Sequence, residues 1–295
     1  MTGPGTRALR WVAEVTQAAE VVVVRGLSGG GSPWLLRAGH RDLVLRAGQP
    51  DEAAWFATEV AALRLAARAG IPVPGLLAYD EGAAAGGPLV LTGRLPGSSQ
   101  IPGHPDPSRL QALGAVAARL HAVPLEPSAD LPLRDRPIAG EDFAAMRREP
   151  EVSRLLRDAE ELITRTGPAE RRPVFVHGDL WYGNTLWDDG ALAGLIDWDC
   201  AGAGAPGVDL GSLRCDAAIC YGTQATAEVL RGWEDTAGQS AADVAYWDVV
   251  AALATPPDMG WFADAISAQG RPDLDRATLL SRRDEFLRQA MNRLR

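Results

Sequence analysis

Lysine is absent from this 295-residue chain; all 29 of its basic residues are arginine. A site that ordinarily grips phosphate with an ammonium must use a guanidinium instead, and a Walker A loop is excluded because it depends on its lysine. Cysteine is scarce. Cys200, Cys215 and Cys220 are odd in number and form no CxxC pair, which argues against a disulfide framework or a thiolate zinc site and for a reducing compartment. The four histidines, His40, His104, His121 and His177, are scattered without ligand spacing, so a histidine metal centre is not expected. Long apolar runs are also missing. The N-terminus has no apolar signal core and no segment approaches a membrane span, so a soluble, cytoplasmic protein without a membrane partner is expected. A net charge of −9 argues against nucleic acid, whose phosphate backbone calls for basic patches.

What is present is material for a substantial core, 46% hydrophobic residues, in a chain long enough to favour two lobes. Residues 7–19 read as a short helix. "VVVV" from residue 21, "PWLLRA" and "DLVLRA" read as three strands joined by short turns, which requires antiparallel pairing. "DEAAWFATEVAALRLAARAG" has helical spacing and stops on Gly70. Two further strands, near residues 76–79 and 89–91, complete a five-stranded sheet with one inserted helix. Beyond "TGRLPGSS" the character changes to helix, with a proline-rich loop over residues 124–140 and helices near 141–149 and 151–165. The expected domains are therefore residues 1–93 and 94–295. "GAGAPG" at residues 202–207 fits GxGxxG, but Pro206 sits in the turn and no βαβ unit surrounds it, so a dinucleotide loop is rejected.

The chemistry concentrates in "VFVHGDLWYGNTLWDDGALAGLIDWD", residues 174–199. A short apolar strand ends at His-Gly-Asp, and "TLW-DDG-ALAGLI" is a hairpin turning at Asp189-Gly190. Asn184 precedes its first strand and Asp197 follows its second, so antiparallel pairing should bring them together, with Asp179 on the loop that feeds the hairpin. An asparagine oxygen with an aspartate suits Mg²⁺, which takes one or two carboxylates plus phosphate oxygens. A separate aspartate can take the proton of an alcohol. These are the parts of a phosphoryl-transfer site.

"HGDLWYGN" followed by "IDWD" resembles the catalytic loop and metal motif of the aminoglycoside phosphotransferase family, small-molecule kinases with a bilobal protein-kinase-like fold. "LGAVAARLHAVP" and "PGVDLGSLR" extend the resemblance on either side, and it is diffuse beyond about Gly222. It implies an α+β fold: a small antiparallel five-stranded nucleotide-binding lobe with one helix, and a mostly helical lobe carrying the catalytic-loop hairpin. It implies Asp179 as the catalytic base, Asn184 and Asp197 as Mg²⁺ ligands, His177 as a brace for the loop and Asp209 as a structural helix-start aspartate. The glycine-rich Ser28, Gly29, Gly30, Gly31 and Ser32 would cover the phosphates with backbone N–H groups. Arg46 would stand where such kinases carry a phosphate-gripping lysine, partnered by Glu59, and Leu91 and Gly93 would flank the adenine. The resemblance leaves Asp199 without a role. Expected function is O-phosphorylation of a small-molecule hydroxyl by ATP or GTP with Mg²⁺. The expected acceptor is an aminoglycoside-like antibiotic; a macrolide, choline, homoserine, a sugar, or a pseudokinase without turnover are the alternatives. Antibiotic resistance does not follow from a fold alone. Trp181 is a candidate to touch the acceptor. Glu234, Asp235, Asp243, Asp248, Asp258 and Asp264 are candidates to bind a cationic one, and Trp233, Trp247 and Trp261 to line an apolar pocket.

Overall fold

A computed structural model of the chain describes residues 3–27, 32–148 and 153–295. They group into two compact units: Met1–Pro96 with Ala193–Asp199, and Gly97–Leu192 with Cys200–Arg295.

In the first unit, α1 (Thr6–Thr16) precedes strands β1 (Val21–Gly26), β2 (Trp34–Ala38) and β3 (Arg41–Ala47). Helix α2 (Ala53–Arg68) then leads to β4 (Leu76–Asp80) and β5 (Leu89–Gly93). The sheet order is β1-β2-β3-β5-β4, antiparallel throughout. Period-two alternation turns Leu36, Ala38, Leu43, Leu45, Leu89 and Leu91 into one core with Ala8 and Val12 of α1. On α2, Phe56 and Val60, one turn apart, pack on Val90 of β5. That register buries Glu59 on the same helix. Residues 193–199, which the sequence reading assigned to the second domain, join this unit for a local reason. The N–H of Leu195 is donated to Pro72 O at 2.9 Å.

The second unit holds α3 (Pro107–His121), β6 (Leu133–Arg134), α4 (Phe143–Met146), α5 (Arg154–Thr166) and β7 (Val174–Val176). There follow β8 (Thr185–Asp188), β9 (Ala191–Leu195), at which the chain passes into the first unit, and β10 (Gly202–Gly204). Helices α6 (Gly207–Tyr221), α7 (Thr226–Ala237), α8 (Val244–Leu253), α9 (Gly260–Ala268) and α10 (Arg276–Leu294) complete it. Strand β10 pairs with β7 antiparallel and with β6 in parallel, so the GxGxxG-like stretch is a strand running into α6. The β8–β9 hairpin turns where it should: Asp189 and Gly190 both have positive φ, 45° and 80°, the type I′ signature.

Helix α3 starts with Pro107 behind an Asp106 cap that accepts the N–H groups of Ser108 and Arg109. It meets α7 at backbone contact distance: a Cβ added at Gly114 would fall 2.0 Å from Val229 O, and one at Gly232 2.0 Å from Gln111 O. Helix α6 is buried on nearly every side. Its polar residues are correspondingly paired, Arg214 donating to both carboxylate oxygens of Asp248 at 2.8 and 2.9 Å.

Candidate active site

Two polar groups are built, one in each unit. In the first, Arg46 near the end of β3 is gripped from three sides. One guanidinium nitrogen donates to Glu59 Oε2 and to Asp197 Oδ1, both at 3.1 Å, and the other donates to Asp199. The guanidinium also lies 5.2 Å from the centre of the Phe56 ring, a cation–π distance. Burial disfavours the Arg46 charge, but Glu59, Asp197 and Asp199 outweigh it and hold its pKa above the ordinary value. Glu59 responds in the opposite sense. Burial pushes its pKa up to about 7, Arg46 pulls it down, and Asp197 and Asp199 push it up again. One cation thus faces three carboxylates, and the group is short of positive charge. The Asp197 side chain is 49% exposed while that of Glu59 is 10% exposed, so Asp197 is the carboxylate a ligand can reach. Asp197 also has left-handed backbone, φ 64°, which aspartate tolerates better than most residues.

The second group is the loop from β7 to β8. Its backbone is pinned by Asp209, whose two oxygens accept the N–H groups of His177 and Gly178, each at 2.8 Å. Gly178 is required here: its φ is +80° and a Cβ would fall 2.1 Å from Cys200 O. Asp209 is itself held by His121 Nε2 at 3.1 Å. The other ring nitrogen of His121 receives the indole N–H of Trp233 at 2.9 Å. An indole nitrogen only donates, so His121 Nδ1 is the acceptor and Nε2 carries the proton given to Asp209. Burial opposes the Asp209 charge, but the His121 bond, the two histidine rings and the His177 N–H outweigh it, and its pKa lies below the ordinary carboxylate value.

On this pinned loop, the Asn184 amide nitrogen donates to Asp179 O at 2.8 Å and to Asp179 Oδ2 at 3.0 Å. That orientation fixes the Asp179 carboxylate and leaves the Asn184 carbonyl oxygen as its donor atom for a cation. Tyr182 N–H is donated to Asp216 Oδ2 at 3.1 Å, and Thr185 Oγ donates to Tyr182 O at 2.8 Å. The ring of Trp181 lies against Gly183 inside the loop.

The structure brings together Arg46, Glu59, Asp197 and Asp199 in one unit, and Asp179, Asn184, His177 and Asp209 in the other. Leu91 is fully buried in β5 between β3 and β4, and Gly93 gives its N–H to Gly75 O at 2.8 Å. Ser32 Oγ lies 3.3 Å from both Ala47 N and Ala47 O; Ser28, Gly29, Gly30 and Gly31 lie outside the described residues. Among the acidic candidates, Asp248 is corrected: it is fully buried and bound by Arg214 and Arg293, so it is a structural counter-ion. Asp258 is bound by Arg276, Glu234 accepts Ala241 N–H at 3.0 Å, and Asp235 and Asp264 are exposed. Trp233 and Trp247 are buried, whereas Trp261 is 44% exposed. Three parts were not assigned from sequence: Asp199 against Arg46, His121 behind Asp209, and Asp216 beneath Tyr182. The "RLH" at the end of α3 was the one available signal for His121.

The APH family, described as the phosphotransferase enzyme family, matches residues 23–253. No curated protein sequence matches the chain. Among solved structures, aminoglycoside-3'-phosphotransferase of type VIII is similar at 25% identity over 82% of this chain and 96% of that one, with a TM-score of 0.58. The macrolide 2'-phosphotransferase MphH from Brachybacterium faecium is similar at 20% identity over 93% and 97%, TM-score 0.59. A thermostable mutant of aminoglycoside phosphotransferase APH(4)-Ia, in a ternary complex with ADP and hygromycin B, is similar at 17% identity over 96% and 98%, TM-score 0.61. The α+β architecture is thus that of the protein-kinase-like phosphotransferases. The chain belongs to the phosphotransferase enzyme family and is a small-molecule kinase. Among the described residues, no helix is long and apolar enough to cross a membrane.

Proposed function

We propose that the chain transfers the γ-phosphoryl group of ATP to a hydroxyl of an aminoglycoside-like antibiotic, residues 1–93 serving the nucleotide and residues 94–295 the acceptor. The observation that carries this reading is the Arg46 group: one guanidinium among Glu59, Asp197 and Asp199, with Asp197 open to ligand. A guanidinium grips phosphate oxygens bidentately. The Asp197 carboxylate and the Asn184 carbonyl are the hard oxygens that would take a divalent cation. When bound, Mg²⁺ would supply charge neutralisation at the phosphates.

The chain's own residues have separate tasks. Arg46, braced by buried Glu59, holds the α- and β-phosphates. The glycine-rich residues 28–32, of which Ser32 is described, are assigned to the phosphates, and the backbone near Leu91 and Gly93 to the base. Asp179, oriented by the Asn184 amide, aligns the acceptor hydroxyl and takes its proton as the acceptor O–P bond forms and the bond from the γ-phosphorus to the β,γ-bridging oxygen breaks, releasing ADP. Asp209 keeps the loop in place, so little reorganisation accompanies the step. ATP as donor and an antibiotic as acceptor are supported by the ADP and hygromycin B of one structural neighbour and by the names of the others.

The test is Mg²⁺-dependent nucleoside diphosphate release from ATP and from GTP against aminoglycosides, macrolides, choline, homoserine and simple sugars, with Asp179→Asn as the control. Turnover on aminoglycosides that falls about 10²–10⁴-fold in the variant is the expected result. Turnover on another class replaces the acceptor. Turnover that survives in the variant removes Asp179 from its role, and silence across the panel leaves the pseudokinase reading.

A further inference from the structure

Behind the catalytic loop, at the far end of β7, the second unit holds an open cavity of about 480 Å³. Strand β7 delivers His177 at its C-terminal end, whereas Val174 at its start lines the cavity together with Arg171 and Arg172 just before it. The cavity is therefore separate from the Asp179 carboxylate, although its floor is His121, which holds Asp209 from the other side. Its size falls within the range of small-molecule pockets.

The lining has two characters. Trp233 and Trp247, both buried, are its aromatic lining residues. The rim carries Arg119, Arg171 and Arg172 against a single acid, Asp243. Asp243 is already committed, accepting Ala169 N–H at 3.2 Å and lying 4.0 Å from Arg171. Among the described residues, the guanidinium groups of Arg119 and Arg172 have no hydrogen-bond or ion-pair partner. The N-terminus of α6, a helix of 15 residues, also opens on the cavity through Pro206 and Gly207, and its dipole favours negative charge. In a chain of net charge −9, this is a local positive rim around an apolar slot.

We infer that this cavity binds a small organic anion with a flat aromatic body: the ring against the apolar lining that includes Trp233 and Trp247, the acid group at Arg119 and Arg172. A neutral ring would gain the apolar walls alone, and a cation would meet the arginines. His121 is saturated by Trp233 and Asp209, so selectivity comes from the rim.

The test is calorimetric titration of the full chain, without nucleotide, with indole-3-acetate and with tryptamine, which share a ring and differ in the sign of charge. Indole-3-acetate is expected to bind at one saturable site and tryptamine at least about tenfold more weakly, the discrimination of one charge-assisted hydrogen bond. The exposed pair Arg119→Gln/Arg172→Gln should weaken the acid about tenfold or more without moving the melting temperature. Ala242→Trp, which fills the slot from its half-buried lip, should remove binding while circular dichroism stays unchanged. No saturable binding of indole-3-acetate, equal affinity for tryptamine, or binding indifferent to both variants overturns the inference.

Discussion

Arg46 and Glu59 meet at 3.1 Å, strand to helix, and the same guanidinium nitrogen reaches Asp197 at 3.1 Å. The pair therefore does more than brace a helix: it sets a cation beside the carboxylate assigned to metal. Arg46→Met removes the cation that Glu59, Asp197 and Asp199 share. Its expected effect is a 10- to 100-fold rise in KM for ATP, roughly the worth of charge-assisted phosphate contacts. Arg46→Lys should recover part of the loss, since an ammonium offers a point charge without the fork that spans Glu59, Asp197 and Asp199. Steady-state kinetics at saturating acceptor decide it. Equal KM values for the lysine variant and wild type would leave the fork geometry without a role, and equal values for the methionine and lysine variants would leave the point charge without one.

Asp209 is the anchor of the catalytic loop. Asparagine at this position keeps the shape but offers one acceptor where the aspartate meets two backbone N–H groups and the His121 proton. Asp209→Asn should cost about 3 kcal/mol in urea unfolding, as expected for breaking a buried, hydrogen-bonded charge. It should also speed hydrogen exchange at the Gly178 amide relative to amides of the β1–β5 sheet. Uniform acceleration across both units would mean general destabilisation instead of release of the loop.

Gly178→Ala tests the same anchor from the backbone side. The added methyl meets Cys200 O and the residue keeps a φ near +80°, so strain on the order of 1–3 kcal/mol is expected, with kcat falling far more than KM for ATP. A rise in KM for ATP with kcat unchanged would contradict the assignment, because Asp179 on this loop is assigned to the chemical step and not to holding the nucleotide.

The elements were legible because they are local. Alternation wrote β2, β3 and β5, four-residue spacing wrote α2, and Asp189-Gly190 wrote the β8–β9 turn. The Asp179-to-Asn184 interval was legible because a five-residue loop carries both and their hydrogen bond closes within it. What escaped were contacts between distant positions: Asp199 to Arg46, His121 to Asp209, Trp233 to His121. Nothing in the chemistry of an isolated histidine at the end of α3 states that an aspartate on α6 faces it, since packing of three helices decides that. Asp248 failed for the related reason that an acid on a helix reads the same from sequence whether it faces solvent or, as here, Arg214 in the core.

Asp216 gives a prediction with a definite sign. It is buried, and accepts Tyr182 N–H at 3.1 Å and the Cys220 thiol at 3.7 Å. Burial raises its pKa to about 7, the two hydrogen bonds pulling the other way. An unfolded aspartate titrates near 3.9. Between those values the folded chain holds a proton that the unfolded chain has released, so stability is full below about pH 4 and falls as pH rises towards 7. At 1.36 kcal/mol per unit, the loss between about pH 5 and pH 8 is about 3 kcal/mol. Glu59, also raised to about 7, adds a slope of the same sign, so wild type alone cannot separate the two. Asp216→Asn can, because the amide still accepts from Tyr182 and cannot ionise. Urea unfolding at both pH values should show the variant losing about 3 kcal/mol less than wild type over this interval. Parallel losses would mean that Asp216 is ionised throughout and that the slope belongs to Glu59.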